Sequence, residues 1–440
     1  MKKIVLVFLL FGAFITNAQE VQSDTIKTIS IDSLKLSIDE HTMKIDGYGE
    51  RLATIESDLS KLTKIKISGY IQAQYDMYDI WGVDGHGQKV ANTTPPTLIT
   101  NTFYLRRARI KFAYEAIEGI KFVLQPDFSF DKVSLKDAYV VLDDRWTNTF
   151  FLYMGQFDRT NYEVEYSSGA LEMLERSKMA GILYPGEKEL GVKFEANFET
   201  TYLIPLKLEL AVMNGNFNLG TTTNQTKDID SHKDVMLRVV YSLKFPNKGL
   251  GIDFGGHGSF SKTVILPGTT LTGFTDVNNV PFTPKIGDEL AKSWYGGEMQ
   301  IYYDFLGGMA LKGEFIKGTI SGTTNPIQVN SAFAYNRVRD FDGLYTTFIK
   351  NIGVKNQFVV RYDVWDPNIK ASGNQVTNSG DLKYNTWSMS WQYYFDENVK
   401  INVGYIIPNN EKSTNPGVGV DYLNRDKKDN IYTIRLQAKF

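Results

Sequence analysis

From Lys64 to Phe440, apolar and polar side chains alternate with a period of two. The stretch at residues 65–75 has isoleucine, glycine and alanine on one face and lysine, serine and glutamine on the other. Because successive side chains of a β-strand point to opposite faces of the sheet, this pattern predicts strands with one apolar and one polar face. A soluble β-sandwich shows the same alternation, so the pattern alone does not identify the architecture.

The lengths of the connections decide between a sandwich and a membrane barrel. About sixteen strands of roughly 9–11 residues fit the chain, and the links between them are alternately short and long. The short links lie near residues 116–119, 143–149, 199–204, 245–248, 304–306, 351–354 and 396–397. The long links lie near residues 77–102, 158–187, 215–233, 261–292, 317–340, 366–383 and 408–429. The exception is the link at residues 129–133, which is short where a long one is expected.

Tight turns at one end and long loops at the other are typical of transmembrane barrels. We therefore predict an all-β fold: a transmembrane antiparallel β-barrel of about 16 strands at residues 64–440, preceded by a short N-terminal helical or coiled-coil segment. The composition agrees, since aromatic residues make up 13% of the chain and prolines number only 13. The net charge of −2 says little about partners, because a pore selects through its local lining.

The first 18 residues have the features of a signal peptide. Lys2 and Lys3 precede an apolar run at residues 4–15, and Thr16-Asn17-Ala18 is a suitable cleavage site. The run is too short for a membrane-spanning helix, which needs about 20 residues. We predict cleavage after Ala18 and residence in the outer membrane of a Gram-negative bacterium. The chain has no cysteine, so a closed barrel rather than disulfides must supply its stability.

Residues 19–63 show a different period. Apolar residues recur at alternating steps of three and four, with His41 as the one polar core position: Ile31, Leu34, Ile38, Ile45, Tyr48, Leu52, Ile55, Leu59 and Leu62. This spacing predicts a periplasmic coiled-coil stalk that oligomerises. Gly47 and Gly49 weaken the prediction, since each costs a helix about 1 kcal/mol relative to alanine. A mobile tether is the alternative.

The last strand ends on an aromatic residue. Its apolar face is formed by Tyr432, Ile434, Leu436, Ala438 and Phe440. A terminal aromatic after alternating apolar residues resembles the signal by which outer-membrane barrels are recognised, so we expect the barrel-insertion machinery to be a partner. The alternative is an ordinary closing strand that happens to end in phenylalanine. An even number of strands places both barrel ends, and residues 19–63, on the periplasmic side.

Several short motifs occur in a fixed order along the first half of the barrel. They are Gly69-Tyr70-Ile71-Gln72, Phe103-Tyr104-Leu105-Arg106-Arg107-Ala108-Arg109-Ile110, Lys136-Asp137-Ala138-Tyr139-Val140, Gly155-Gln156-Phe157 and Glu175-Arg176. This succession resembles the phosphate-selective porin O and P family of outer-membrane proteins. The resemblance covers residues 64–440 and is most specific before about residue 180. It implies a sixteen-stranded, homotrimeric channel whose third external loop folds inward to narrow the pore. The family's phosphate-binding residues are not matched one by one.

The link at residues 158–187 is the candidate for that loop, because it follows the fifth predicted strand. It carries many charges, namely Arg159, Glu163, Glu165, Glu172, Glu175, Arg176 and Lys178. The run from Ala170 to Met179 is compatible with a helix. We predict that this loop folds into the pore; an exposed surface loop is the alternative.

The polar faces of the strands predict what the lumen presents to a solute. If Ile110, Phe112 and Tyr114 face lipid, then Arg107, Arg109 and Lys111 face the lumen at intervals of about 6–7 Å. Arginine keeps its charge at any pH and matches phosphate or carboxylate with a planar fork. Further basic candidates for anion contact are Lys121, Arg159, Arg176, Lys193, Arg238, Lys312, Arg361 and Arg435. We predict passive diffusion of small solutes with a preference for anions such as phosphate.

Acidic residues share these polar faces and support a different interpretation. They are Asp127, Asp137, Glu195, Glu209, Asp253, Glu298, Glu314 and Asp363. Salt bridges that brace the wall are the alternative role for most of the basic candidates. The cluster Arg107–Lys111 is the exception, since no acid occurs at its alternate positions before Glu115.

Catalysis has little support. The histidines number 4, and His257 with Ser259 lies on a polar strand face, whereas an outer-membrane lipase needs its nucleophile on the lipid side. Without cysteine or clustered histidines we expect no metal site, no cofactor and no enzyme activity, and no nucleic-acid partner. Two alternatives to a general anion channel remain: a non-conducting structural or adhesive barrel, and a sugar channel with lumen aromatics. The aromatic candidates are Tyr70, Tyr104, Trp365 and Tyr394.

Overall fold

The computed structural model describes residues 39, 41–45, 47–52, 54–56, 64–79, 101–129, 133–215, 228, 230–322, 336–417, 423–426 and 429–440. The predicted signal peptide lies outside this set, as do the first three and last two predicted heptad positions. The chain divides into two units, Met1–Thr63 and Lys64–Phe440. No helix in the described part of the chain is long and apolar enough to cross a membrane.

The first unit contains one described helix, α1, at residues 41–56. Four of the predicted heptad residues lie on it, and all four are exposed: Ile45, Tyr48, Leu52 and Ile55. Helix formation was expected here. Whether α1 joins other copies of the chain stays a prediction.

The second unit is a closed antiparallel β-barrel, whose sixteen long strands agree with the predicted number. The first eight are β1 (Ile65–Tyr78), β2 (Asn101–Ile117), β3 (Ile120–Asp127), β4 (Ser134–Asp143), β5 (Phe150–Asp158), β6 (Lys188–Asn197), β7 (Leu206–Met213) and β8 (Asp234–Phe245). The others are β9 (Leu250–Val264), β10 (Glu289–Tyr303), β11 (Met309–Gly322), β12 (Arg337–Ile352), β13 (Asn356–Asp366), β14 (Tyr384–Tyr394), β15 (Val399–Asn410) and β16 (Ile431–Lys439). Two further short strands, Phe274–Thr275 and Pro281–Phe282, pair with each other in the loop between β9 and β10, and Thr275 also pairs with Arg337 of β12.

Each strand pairs with its neighbours in sequence, and β16 pairs with β1 to close the barrel. At this seam the backbone N–H of Gly69 donates to the carbonyl of Phe440, and the N–H of Phe440 donates to the carbonyl of Gly69, both at 3.0 Å. Closure leaves no free sheet edge, which is how a barrel satisfies its backbone within lipid.

The two faces of the wall follow the predicted alternation. On β14, Trp387 and Met389 are exposed on the outside, whereas Ser388, Ser390 and Gln392 are buried on the inside. A lipid-facing apolar surface and a polar interior are what a membrane barrel requires. Within the described residues, the links at one end of the barrel (the turn end) are short, and most links at the other end (the loop end) are long.

An apolar cluster lies inside the barrel. It joins residues 159–187, here called the constriction loop, to the inner faces of β5, β7, β8 and β10–β13. The loop contributes Val164, Met179, Ala180, Leu183 and Tyr184, and the wall contributes Phe157, Ala211, Met213, Met236, Trp294, Ile316, Ile320, Phe341, Tyr345 and Trp365. The Trp294 indole N–H donates to the Tyr184 hydroxyl at 2.9 Å. The loop is therefore part of the packed structure of the barrel.

Candidate functional site

The constriction loop crosses the lumen and contacts strands on all sides. Arg435 on β16 donates to the carbonyl of Leu174 at 2.6 Å, and Gln437 donates to that of Gly169 at 2.9 Å. On other strands, Lys312 pairs with Glu172, Arg238 with Glu165, and Arg361 with Glu163. These contacts confirm the predicted infolding, and the alternative of an exposed surface loop is wrong.

The helices of the loop do not coincide with the run from Ala170 to Met179, whose sequence is compatible with a helix. The structure has α2 (Tyr162–Glu165) and α3 (Lys178–Leu183), and most of the run Ala170–Met179 is irregular. The reason is that the wall takes the backbone carbonyls that a helix would use. Their donors are Lys400 on Leu171, Gln392 on Glu172, Arg435 on Leu174, and Arg361 on Glu175 and Arg176.

A β-bulge in β2 brings two consecutive arginines into the lumen. Gln72 on β1 pairs with Arg107, but the next residue, Ala73, pairs with Leu105, so Arg106 is the extra residue. A bulge interrupts the alternation of sides. The predicted lumen residues Arg107 and Arg109 do face inward, and Arg106, which strict alternation assigns to the lipid side, joins them.

A second bulge lies in the Lys136-Asp137-Ala138 motif of β4. Here Gln125 pairs with Asp137 and Pro126 with Leu135, which leaves Lys136 as the extra residue. The side-chain amide of Gln156 donates to the carbonyls of Leu135 and Lys136, at 2.6 and 2.8 Å. The motifs Lys136-Asp137-Ala138-Tyr139-Val140 and Gly155-Gln156-Phe157, which both carry the family resemblance, thus meet at the β4 bulge.

Three arginines surround one carboxylate of the constriction loop. Arg106 donates to both oxygens of Glu175, at 2.9 and 2.7 Å. Arg435 donates to the same carboxylate, and Arg107 lies 3.7 Å away while donating to Gln72 at 2.9 Å. We call Arg106, Arg107, Arg435 and Glu175 the arginine cluster. It carries three positive charges against one negative charge.

The other predicted anion-contact residues have acidic partners. Arg109 pairs with Asp127 at 2.7 Å, and Arg361 lies 3.4 Å from Glu163. The remaining pairs are Lys111 with Asp137 (3.6 Å), Lys121 with Asp143, Arg159 with Glu189 (2.7 Å), Arg176 with Glu187 (2.5 Å), Lys193 with Glu165 (3.1 Å), Arg238 with Glu298 (2.7 Å) and Lys312 with Glu172 (2.6 Å). For these residues the geometry favours bracing of the wall and the loop.

Arg176 shows this role most clearly. Besides its pair with Glu187, it donates to the carbonyls of Glu163, Val164 and Tyr166 at 2.9–3.0 Å. Its guanidinium therefore holds the two halves of the constriction loop together.

Lys400 on β15 is a lumen cation that the sequence analysis missed. Its Nζ donates to Gln392 at 2.7 Å and to the carbonyl of Leu171 at 3.3 Å. No carboxylate oxygen of the described residues lies within 4.0 Å of it. The signal was present in the sequence, since Lys400 and Asn402 alternate with Val399, Ile401 and Val403.

The candidate aromatic residues also lie on the inner side of the wall. The hydroxyl of Tyr104 donates to Asp76 at 2.6 Å, and that of Tyr394 contacts Gln357 and Gln392. Trp365 packs against Phe341 within the apolar cluster, and Tyr70 lies against Gly169 of the constriction loop. Tyr70 and Trp365 are buried by these contacts, which leaves little of their ring surface for stacking on a sugar, whereas Tyr104 and Tyr394 are half-buried.

Comparison with known proteins supports the motif analysis. Residues 86–247 match the family model described as phosphate-selective porin O and P, which confirms the resemblance. No curated protein matches the sequence.

The barrel is similar to solved structures of outer-membrane proteins. They include OprB of Pseudomonas putida (TM-score 0.54, 11% identity, 87% of this chain and 96% of that chain) and the outer membrane channel DcaP of Acinetobacter baumannii (0.51, 13%, 86% and 97%). A loop-deletion mutant of OmpT of Vibrio cholerae is similar to the same degree (0.51, 11%, 86% and 99%). At these identities the likeness concerns the fold, which is that of an outer-membrane porin-type barrel.

Proposed function

We propose that the barrel is a passive outer-membrane channel for small solutes and that it prefers anions. The observation that carries this proposal is the uneven distribution of charge around the lumen. The last three strands, β14–β16, contain no aspartate or glutamate, and their basic residues are Lys400, Arg435 and Lys439. The next strands around the barrel, β1 and β2, add Arg106 and Arg107 from β2 and one buried acid from β1, Asp76, which accepts hydrogen bonds from Tyr104 and Thr433.

The opposite side of the wall is balanced. Strands β7–β11 carry five inward basic residues, Lys207, Arg238, Lys244, Lys292 and Lys312, and five inward acids, Glu209, Asp234, Asp253, Glu298 and Glu314. A solute in the lumen therefore experiences a positive side and a nearly neutral side. Such a local field raises the concentration of anions at the narrow part of the pore.

The arginine cluster also allows a bound anion to be released. Glu175 already engages Arg106 and Arg435, so an incoming anion competes with a carboxylate for the same donors. Conduction requires binding that is favourable enough for entry and weak enough for exit. Because Glu175 belongs to the protein and competes for the same arginines, it lowers the net affinity for the anion and so allows the anion to leave. Phosphate and carboxylates, which accept two parallel hydrogen bonds from arginine, are the solutes that fit best.

Reversal potentials in planar bilayers under a KCl gradient test the anion preference. We expect a potential of the sign that anion permeation gives, and a smaller one for Lys400→Gln and Arg435→Gln. Lys285→Gln, which changes an exposed lysine of an external loop, is the matched control and should match the wild type. A cation-selective wild-type channel contradicts the proposal, and a barrel without measurable conductance favours a structural or adhesive role.

We further infer a homotrimer in the outer membrane, with residues 19–63 in the periplasm. The support is the family resemblance and the exposed apolar residues of α1. Crosslinking of the detergent-solubilised protein, with and without residues 19–63, tests both points. A monomer in each case contradicts the trimer, and a trimer that does not depend on residues 19–63 contradicts the stalk.

A further inference from the structure

Three side chains on adjacent strands form a buried group that the channel function does not use. His257 on β9, Glu298 on β10 and Glu314 on β11 all face the lumen, and each is buried. One ligand atom from each lies within 4.8 Å of the others. The group was invisible in the sequence, because only the strand register brings residues 257, 298 and 314 together.

The register places the two glutamates in direct opposition. Glu298 and Glu314 are cross-strand partners. Like charges at such positions destabilise a sheet unless a cation compensates them. Arg238 supplies one positive charge, since it donates to both oxygens of Glu298 at 2.9 and 2.7 Å. One negative charge is left over at the pair.

The imidazole of His257 is aimed at this pair without forming a hydrogen bond to it. Its Nδ1 lies 3.4 Å from Glu314 Oε1 and 3.7 Å from Glu298 Oε2. Neither ring nitrogen has a hydrogen-bond partner, although the side chain is only 1% exposed. Buried polar atoms normally have partners, so two free ring nitrogens next to two carboxylates require an explanation.

The spacing of these atoms is that of ligands around a metal. Zinc binds histidine nitrogen and carboxylate oxygen at about 2.0–2.2 Å, and two ligands of a tetrahedral site then lie roughly 3.3–3.6 Å apart. The 3.4 and 3.7 Å distances from Nδ1 are close to that range. Imidazole with carboxylates suits zinc and its neighbours among the transition metals better than magnesium or calcium.

Outer contacts hold the two carboxylates in place. Arg238 fixes Glu298, and the hydroxyl of Tyr345 donates to Glu314 Oε2 at 3.0 Å. Each bound oxygen keeps a second lone pair for a metal, and such supporting hydrogen bonds are usual for carboxylate ligands. Gly296 leaves room for the imidazole, since a Cβ at that position would lie 2.7 Å from His257 Nε2.

We propose that His257, Glu298 and Glu314 form a binding site for one divalent transition-metal ion such as Zn²⁺ on the lumen wall. The site adjoins the constriction loop, because the side-chain amide of Asn161 donates to Glu314 Oε1. Asn161 is also the N-cap of α2. A bound ion would therefore contact Glu314, the residue to which Asn161 of the constriction loop is hydrogen-bonded. The proposed site does not depend on which solute the channel carries.

The test measures metal binding directly. The full-length barrel, purified in detergent and stripped with a chelator, is dialysed against micromolar ZnCl₂, and bound zinc is measured by mass spectrometry. We expect one ion per chain in the wild type and at least a tenfold lower affinity in His257→Gln and Glu314→Gln. His232→Gln, which alters a half-exposed loop histidine paired with Glu289, is the matched control and should bind as the wild type does.

Two further measurements distinguish a loss of metal binding from a loss of folding. Each variant is checked by its heat-dependent shift in gel mobility, which reports a closed barrel. Addition of Co²⁺ to the wild type should give the visible absorption bands of a four- or five-coordinate ion, and these should be absent in His257→Gln. Equal zinc binding by the wild type and a folded His257→Gln overturns the proposal, as does a wild type that binds no zinc and gives no cobalt bands.

Discussion

The ring of Phe440 lies directly over Gly69. A Cβ added to Gly69 would lie 2.5 Å from Phe440 Cζ and 2.5 Å from the carbonyl oxygen of Arg109. The two residues also exchange both backbone hydrogen bonds that end the β1–β16 seam. The terminal aromatic side chain therefore covers the one position of β1 that has no side chain of its own.

Replacement of Gly69 should impair barrel closure. In Gly69→Ala the new methyl group meets a backbone oxygen that cannot move without shifting β2, and overpacking of this kind costs about 1–3 kcal/mol. We expect a lower yield of the heat-modifiable form after folding into lipid vesicles. Gly297→Ala, where the nearest atom to the new Cβ would be 3.5 Å away, is the control. Equal yields for the two variants contradict this account of the seam.

Gly155 should tolerate no side chain. Its φ is +131°, and a Cβ would lie 2.3 Å from the carbonyl oxygen of Ala138 beside the β4 bulge. We expect Gly155→Ala to lower the free energy of unfolding by about 1–3 kcal/mol in urea titrations of vesicle-inserted protein. Gly181→Ala, in α3 with no atom within 4 Å, should be neutral or slightly stabilising. An unchanged midpoint for Gly155→Ala speaks against the close approach of β4 and β5.

Removal of the Glu175 charge should increase the anion preference. Glu175→Gln leaves Arg106, Arg107 and Arg435 without their shared carboxylate, so the positive field at the cluster grows. We expect the permeability ratio of chloride to potassium to rise roughly twofold in planar bilayers. Glu118→Gln, in the exposed turn between β2 and β3, should leave the ratio unchanged. A shift towards cations in Glu175→Gln would exclude the arginine cluster from the permeation path.

A disulfide between the constriction loop and β12 should form readily. The Cβ of Met179 lies 3.1 Å from the ideal Cβ position of Gly343, close to the separation of about 3.5–4.5 Å in disulfides. The chain has no cysteine of its own, so the pair Met179→Cys and Gly343→Cys is free of side reactions. We expect complete oxidation, seen by thiol labelling, and unchanged conductance before and after reduction. A conductance that increases on reduction would mean that the loop leaves the wall during transport.

The alternation of side chains predicted most of the barrel because each strand separates lipid from lumen. The same rule failed at Arg106, because the bulge in β2 reverses the alternation of sides locally. Lys400 was overlooked even though the alternation of its neighbours assigns it to the lumen side. The sequence alone does not show which basic residues of the lumen have acidic partners on other strands.

The run Ala170–Met179 is compatible with a helix by its sequence, yet most of it is irregular for another reason. Local propensity allows a helix there, but Arg361, Arg435 and Gln392 take its carbonyls from strands far along the chain. The group at His257, Glu298 and Glu314 is likewise a product of register. Contacts between residues far apart in the chain depend on strand register and on closure of the barrel, and they cannot be predicted from a single sequence.

The partners of the constriction loop determine when it acquires its shape. Gly169 and Leu174 are held by Gln437 and Arg435, which lie 268 and 261 residues further along the chain on the last strand. The carbonyls of the loop remain without these donors until β16 has paired with β1. The narrow part of the pore is thus completed only when the wall is complete. A barrel that is open at the β1–β16 seam would keep the loop contacts of Arg361, Lys312 and the apolar cluster but lack those of Arg435 and Gln437, so its passage would not have its final shape.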